Sequence, residues 1–421
     1  MMVTVNKGVR EGYKLTEMGE IPVEWEVKTT GELFENVSKK GFEQLPVLSV
    51  TQDNGVVYRN DLDINIKYDK NSLKSYKLIE EGQFVISLRS FQGGLEYSSI
   101  TGISSPAYTV LNPSNLVNVD YFKYLFKSFW FIEKLKGSIV GIRDGKQISF
   151  TDFKVIKLAL PPLKEQQKIA EILSTVDEQI ENTEQLIEKT KELKKGLMQQ
   201  LLIKGIGHTE FKQTELGEIP VEWEVREFSE LCSRIIVGIA SSTAEHYTSK
   251  DLGVMIVRNQ NIKENHLYLD DVLYISKEFD LNNEKKRLRE GDLLTVRTGY
   301  PGVTCVVPKE LENTQTFTTL ISSPYQDKVD SNYLAYYMNS PLGKNQLKQL
   351  SAGGAQQNLN VSSLSSYKIS VPSLKEQQKI ASILSSVDEQ IESYEQEKEK
   401  YLELKKGLMQ QLLTGKIRVT V

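Results

Sequence analysis

A block of 40 residues, LKEQQKIAEILSTVDEQIENTEQLIEKTKELKKGLMQQLL from Leu163 to Leu202, returns from Leu374 to Leu413 with 32 positions identical. A second block, TEMGEIPVEWEV from Thr16 to Val27, returns as TELGEIPVEWEV from Thr214 to Val225, and only Met18 against Leu216 differs. Repetition at this level means that the chain builds one unit twice. Each half runs in the same order: short block, divergent stretch, long block. The long blocks are 211 residues apart and the short ones 198, so the second divergent stretch is 13 residues longer.

The long blocks read as helices with a coiled-coil stripe. In the first copy the stripe is Ile169, Leu173, Val176, Ile180, Thr183, Ile187, Thr190, Leu193, Leu197 and Leu201. In the second it is Ile380, Leu384, Val387, Ile391, Tyr394, Tyr401, Leu404, Leu408 and Leu412. Pro161-Pro162 precedes the first, and Ser373 with Glu376 predicts a capping box on the second. Gly205, Gly207 and Gly415 suit the exits. Forty residues at about 1.5 Å each would make a rod of roughly 60 Å. Two threonines of the first stripe become tyrosines in the second. An antiparallel pair would set Thr183 against Tyr401 and Thr190 against Tyr394, small against large; drift on an exposed face would also explain the change. In the same register Ile180 meets Leu404, Leu193 meets Ile391 and Val176 meets Leu408. Gly196 and Gly407 stand inside these helices, where glycine costs about 1 kcal/mol relative to alanine. Either another backbone approaches closely there, or duplication copied the residue.

The divergent stretches are strand-rich with amphipathic helices, about 140 to 160 residues each, a normal domain size. EGQFVISLRS (Glu81–Ser90) corresponds to EGDLLTVRTG (Glu290–Gly299), a strand with arginine at its end. ISSP at Ile103–Pro106 and again at Ile321–Pro324 reads as a turn before a strand. VDYFKYLFKS and NYLAYYMNS read as helices, and VIKLALP and YKISVP as edge-like strands feeding the long helices. Trp25 and Trp223 read as core anchors. The fold class is α+β: two strand-rich globular domains separated by two long helices in an antiparallel coiled coil, with a pseudo-two-fold internal repeat. The boundaries are 1–160 for a first globular domain, 161–205 for a first coiled-coil helix and 206–213 for a linker. A second globular domain at 214–372, a second coiled-coil helix at 373–414 and a tail at 415–421 follow.

Catalytic signatures do not emerge. There is no P-loop and no Gly-rich dinucleotide or S-adenosylmethionine turn. SSPAY and SSPYQ lack the residues of an amino-methyltransferase loop, and Asp144-Gly-Lys146 has no partner carboxylate for a nuclease metal. Two cysteines, Cys232 and Cys305, and three scattered histidines give no disulfide framework or ligand spacing. With no signal-like N-terminus and no membrane-length apolar run, the expected compartment is reducing and cytoplasmic. The net charge of −4 argues against a freestanding nucleic-acid binder. Each long-helix segment carries 7 basic and 8 acidic residues, which leaves −2 for the rest.

Two divergent domains, each preceded by T-E-[ML]-G-E-I-P-V-E-W-E-V and followed by LKEQQKIA…VDEQIE…ELKKGLMQQLL, resemble the DNA specificity subunit of type I restriction–modification systems over nearly the whole chain. The resemblance implies a non-catalytic subunit whose two target-recognition domains each read half of a bipartite double-stranded DNA site. The helices would set the spacer. It also implies two methyltransferase subunits docked on the scaffold, and restriction subunits joining them. S-adenosylmethionine, ATP and Mg²⁺ would be held in those partners, and no cofactor or metal in this chain.

Direct readout favours Arg for guanine, Asn or Gln for adenine and Ser or Thr for either. The first domain offers Thr51, Gln52, Asn54, Arg89, Ser90, Gln92, Arg143, Lys146 and Gln147. The second offers Arg258, Asn259, Gln260, Asn261, Arg297, Thr298, Tyr300, Gln356, Gln357 and Asn358. Each reads equally as an ordinary solvated loop residue, and phosphate contacts would be mixed among them. Arg89 and Arg297 stand out because they hold equivalent strand-end positions. The other reading is a coiled-coil scaffold that binds only proteins, which the acidic balance favours and the polar Gln/Asn/Arg loops oppose.

Overall fold

The computed structural model describes residues 9–52, 54–62, 70–137, 148–351 and 358–420. By contacts the chain divides into two compact units, Met1–Glu184 with Gln396–Val421, and Gln185–Glu395. Two helices dominate, Leu163–Lys204 and Leu374–Leu412. The unit boundary falls inside each helix, so each unit owns one half of both.

In the first unit, Tyr13–Thr16 and Gly19–Pro22 form a hairpin in which Tyr13 pairs with Pro22. Glu26–Thr29 then pairs antiparallel with Lys157–Leu160, the strand that leads into the first long helix. The central antiparallel sheet has the order Phe34–Val37, Thr109–Pro113, Phe84–Ile86, Glu96–Tyr97. Two smaller sheets, Leu48–Thr51 with Gly55–Tyr58 and Lys77–Ile79 with Gly102–Ser104, stand beside it. The helix Val119–Lys127 exists because Asn118 caps it through Tyr121 N and because Tyr121, Phe122, Leu125 and Phe126 form one buried face. Phe34, Phe84, Phe122, Phe126 and Phe153 pack as edge-on and tilted rings 5.1–6.1 Å apart. Trp25, Ile169, Leu173, Leu412 and Leu413 belong to the same core, so both long helices are part of it.

The second unit repeats this plan. Its hairpin is Phe211–Thr214 with Gly217–Pro220, and Glu224–Glu227 pairs with Lys368–Val371. The central sheet has the same strand order: Cys232–Val237, Leu320–Pro324, Leu293–Thr295, Thr304–Val306. Added to it is a four-stranded sheet in which Gly253–Arg258 pairs in parallel with Gln315–Phe317. Tyr333, Tyr337 and Tyr367 share one core with Trp223, Ile380 and Leu384.

The helix halves pair antiparallel within each unit. In the first, Asp177 meets Lys405 at 2.5 Å and Glu184 meets Lys398 at 2.7 Å, so rising numbers on one helix face falling numbers on the other. In the second, Lys191 meets Glu395 at 2.9 Å and Lys194 meets Asp388 at 2.5 Å. Ile169, Leu173, Val176, Ile187, Ile380, Leu384, Val387 and Ile391 are buried. Thr183 and Thr190 are buried too, each hydroxyl bonded to the carbonyl four residues back. Ile180, Leu197, Tyr394, Tyr401 and Leu408 are half-buried.

Four expectations need correction. Leu193 and Leu404, placed on the stripe by their apolarity, are 54% and 48% exposed. Their neighbours Lys194 and Lys405 turn inward instead, their stems covered and their ammonium groups on Asp388 and Asp177. The capping box at Ser373 is only half made. Ser373 Oγ accepts from Glu376 N at 3.4 Å, but the Glu376 carboxylate accepts from Trp223 Nε1, Ile206 N and His208. Beyond their own helix turns, no atom of the described residues lies within 4 Å of where a Cβ would stand on Gly196 or Gly407, so no close backbone approach among those residues explains them. The two ISSP runs are not equivalent: the first ends the strand Gly102–Ser104 and the second lies within Leu320–Pro324, whose counterpart is Thr109–Pro113.

Candidate nucleic-acid interface

In each unit a polar turn outside the central sheet meets the loop after Phe84–Ile86 or Leu293–Thr295, and most of the described sequence-derived candidates lie in these turns and loops. In the first unit, the hairpin Leu48–Thr51/Gly55–Tyr58 turns through Gln52 and Asn54. Thr51 Oγ1 holds that turn, accepting from Asn54 N at 3.0 Å and donating to Gly55 O at 3.1 Å. Gln52 Nε2 donates to Arg89 O at 3.2 Å, which joins the turn to the loop after Phe84–Ile86. Arg89 and Gln92 are exposed on that loop. Its far end is fixed by Gly94 at φ +81°, where a Cβ would stand 1.9 Å from Phe126 O. Ser90 is buried and its Oγ accepts from Ser87 N, so it shapes the loop and does not face a ligand.

In the second unit the turn Asn259–Asn261 meets the loop after Leu293–Thr295. Asn259 Nδ2 donates to Thr298 Oγ1 at 3.1 Å, and Tyr300 OH donates to Asn259 O at 2.6 Å. Partial burial pushes the Tyr300 hydroxyl above the usual phenol range, so it remains a donor. Asp271 Oδ2 accepts from Arg258 Nη2 at 3.1 Å and Gln260 Nε2 at 2.7 Å. Leu359 N donates to Arg297 O at 3.0 Å, bringing the exposed Asn358 alongside. Asn261 is buried, its amide donating to Tyr268 O and Asp271 O while its carbonyl accepts from Arg258 N. It is a structural residue of the turn. Among the described residues, three buried polar atoms here have no hydrogen-bond partner: Arg258 Nε, Asn259 Oδ1 and Arg297 Nε. Native interiors leave few such groups, and three in one loop cluster mark unmet hydrogen-bonding capacity.

Arg89 and Arg297 are not equivalent. Arg89 lies three residues beyond a strand ending at Ile86, and Arg297 two beyond one ending at Thr295. Arg89 is exposed while Arg297 is half-buried. Arg143, Lys146, Gln147, Gln356 and Gln357 lie outside the described residues.

Among the described residues, no group of three or more His, Cys, Asp or Glu side chains is placed to hold a metal ion. No helix of the described residues is long and apolar enough to cross a membrane. Cys232 and Cys305 are buried, and burial pushes the Cys232 thiol up to about 12, which removes it as a nucleophile.

Sequence reasoning missed how each module is fastened to its helices. Tyr124 OH donates to Asp177 Oδ2 at 2.8 Å, Lys405 Nζ meets Asp177 Oδ1 at 2.5 Å, and Lys405 Nζ lies 5.6 Å from the Tyr124 ring centroid. Tyr336, Asp388 and Lys194 repeat this at 2.8, 2.5 and 5.7 Å. Buried Gln166 adds a second tie, accepting from Asn118 N and donating to Leu116 O and Pro161 O; Gln377 does the same with Asp330, Lys328 and Pro372. The signal was present, since Asp, Lys and Gln are unchanged between the long blocks and each tyrosine holds the same place in its helix.

Comparison with known proteins places this arrangement. Residues 22–192 and 220–403 each match the description "Type I restriction modification DNA specificity domain". The chain is 28% identical over 437 residues to the type I restriction enzyme MjaVIII specificity subunit of Methanocaldococcus jannaschii, covering 100% of this chain and 99% of that one. The fold is similar to that of a chain of a type I R-M system at TM-score 0.57 and 15% identity, covering 94% and 99% of the two chains. It is also similar to the S subunit from M. genitalium at TM-score 0.54 and 15% identity, covering 95% and 97%.

Proposed function

Since the chain belongs to the family of type I restriction modification DNA specificity domains, we propose that it acts as the non-catalytic specificity subunit of a type I restriction–modification complex. Each unit reads one half of a bipartite double-stranded DNA site. The paired helices set the unread spacer and carry two methyltransferase subunits, with restriction subunits joining them. S-adenosylmethionine, ATP and Mg²⁺ act in those partners. The observation that carries this reading is that each of two divergent modules on one sheet plan brings a polar turn from outside its central sheet against the arginine-bearing loop that leaves that sheet. Around Gln52, Asn54, Arg89 and Gln92, and around Arg258, Asn259, Gln260, Arg297, Thr298 and Tyr300, the side-chain chemistry is that of base-edge and phosphate recognition.

The net charge of −4 favours a protein-only scaffold as the second reading. A DNA-binding titration of the chain with and without methyltransferase subunits, at two salt concentrations, separates them. Specific binding that weakens with salt supports recognition. Salt-independent absence of binding in the assembled complex supports the scaffold.

A further inference from the structure

We propose that Tyr124 and Tyr336 are positioning residues that lock the tilt of each reading module on its helix pair, so that their hydroxyls control how strictly the spacer is enforced. The proposal rests on the recognition reading above. Each tyrosine sits on the helix that backs its reading loop. In the first unit the line runs from Tyr124 through Phe126, which packs 5.1 Å from Phe84, to the strand that ends before Arg89. Each receiving aspartate is on the long helix that follows the module, and each aspartate is also held by a lysine of the other long helix. One hydroxyl thus ties the module to both helices.

A single attachment would leave a hinge. The glutamine tie is at the first turn of each long helix, and the aspartate lies 11 residues further, about 16 Å along it. Two points at that separation define an angle. Burial first, and the neighbouring aspartates with it, hold both phenols above their usual range, so each hydroxyl donates throughout the physiological span. The Asp177 and Lys405 side chains are 37% and 29% exposed, so the tie adds little to stability beside the aromatic core. Its effect is on orientation.

The test uses the full chain with Ser99→Cys and Glu181→Cys, exposed positions of the first unit, carrying spin labels; Cys232 and Cys305 are buried. The expected result is one narrow distance distribution, broadened by Tyr124→Phe and by Lys405→Gln and kept narrow by Lys405→Arg, with the melting midpoint moving only a few degrees. In complex with the methyltransferase subunits, Tyr124→Phe and Tyr336→Phe should reduce the preference for the natural spacer over spacers one base pair longer or shorter, by roughly tenfold. Both half-site sequences should still be read. An unchanged distribution overturns the positioning role. A broadened distribution with unchanged spacer preference overturns the link to DNA. If the unaltered complex shows no bipartite preference, the recognition reading fails, and the label distances alone decide whether the tyrosine positions the module.

Discussion

The wholly buried carboxylate of Glu165 accepts from Arg418 Nε at 2.7 Å and from Arg418 Nη2 at 3.0 Å, while Trp25 Nε1 donates to it at 3.0 Å. The short repeated block, the start of the first long helix and the segment after the second are thereby one structure. Tyr13 OH, donating to Gly415 O at 2.8 Å, adds a second tie between the N-terminal hairpin and the segment after the second long helix. The second unit keeps the Trp–Glu pair and replaces the arginine by other donors. Glu376 takes Trp223, His208 and the backbone of Ile206, from the segment after the first long helix.

Arg418→Ala should therefore destabilise the first unit by about 3 kcal/mol, because a buried carboxylate loses its charged partner. Arg418 is itself 31% exposed, which keeps the loss at the low end of the range for buried pairs. Replacing Glu165 by Gln as well should recover part of the loss. Denaturant unfolding of the single and double variants measures both.

Arg297→Ala should weaken recognition of one half-site only, by about 1–3 kcal/mol. Arg89→Ala should do the same for the other half. Binding of the assembled complex to oligonucleotides altered in one half at a time reads the difference, and equal loss at both halves would point to damaged folding.

Asn261→Ala should behave differently from Gln260→Ala, though the two are neighbours. The first removes three buried hydrogen bonds that shape the turn and should lower stability by about 2 kcal/mol. Gln260 is exposed, and its loss should leave melting unchanged while altering DNA affinity.

A heptad inserted into both long helices, at the unit boundary beside Glu184 and beside Glu395, keeps the stripe in phase. It adds about 10 Å to each helix, close to three base pairs of rise. The preferred spacer should lengthen accordingly, or recognition should be lost. Modified-site mapping that returns the original spacer with activity intact would contradict a measuring role for the helices.

Much of this architecture was legible because duplication printed it twice. The long helices, the hairpin–strand block around Trp25 and Trp223, and the helices containing Tyr124 and Tyr336 follow from repeated spacing and apolar faces. What escaped was the role of charged residues within those faces. Leu193 and Leu404 outrank Lys194 and Lys405 on any hydropathy scale. Yet the lysines turn inward, because an aspartate of the opposite helix and a tyrosine ring await them, and that neighbourhood exists only after folding. Glu376 was read as a local cap for the same reason: its partners Trp223 and His208 are distant in sequence. The reading loops were legible only as polar strand ends. Ser90 and Asn261 have the same side-chain chemistry as their exposed neighbours, and burial alone separates them.

The most direct test of the account is to map modified bases in cells that carry this chain with its methyltransferase, with and without Arg297→Ala. The account predicts a motif of two short specific halves around a gap of fixed length, with Arg297→Ala degrading one half and leaving the other half and the gap intact. A single uninterrupted motif, or equal degradation of both halves, would contradict it.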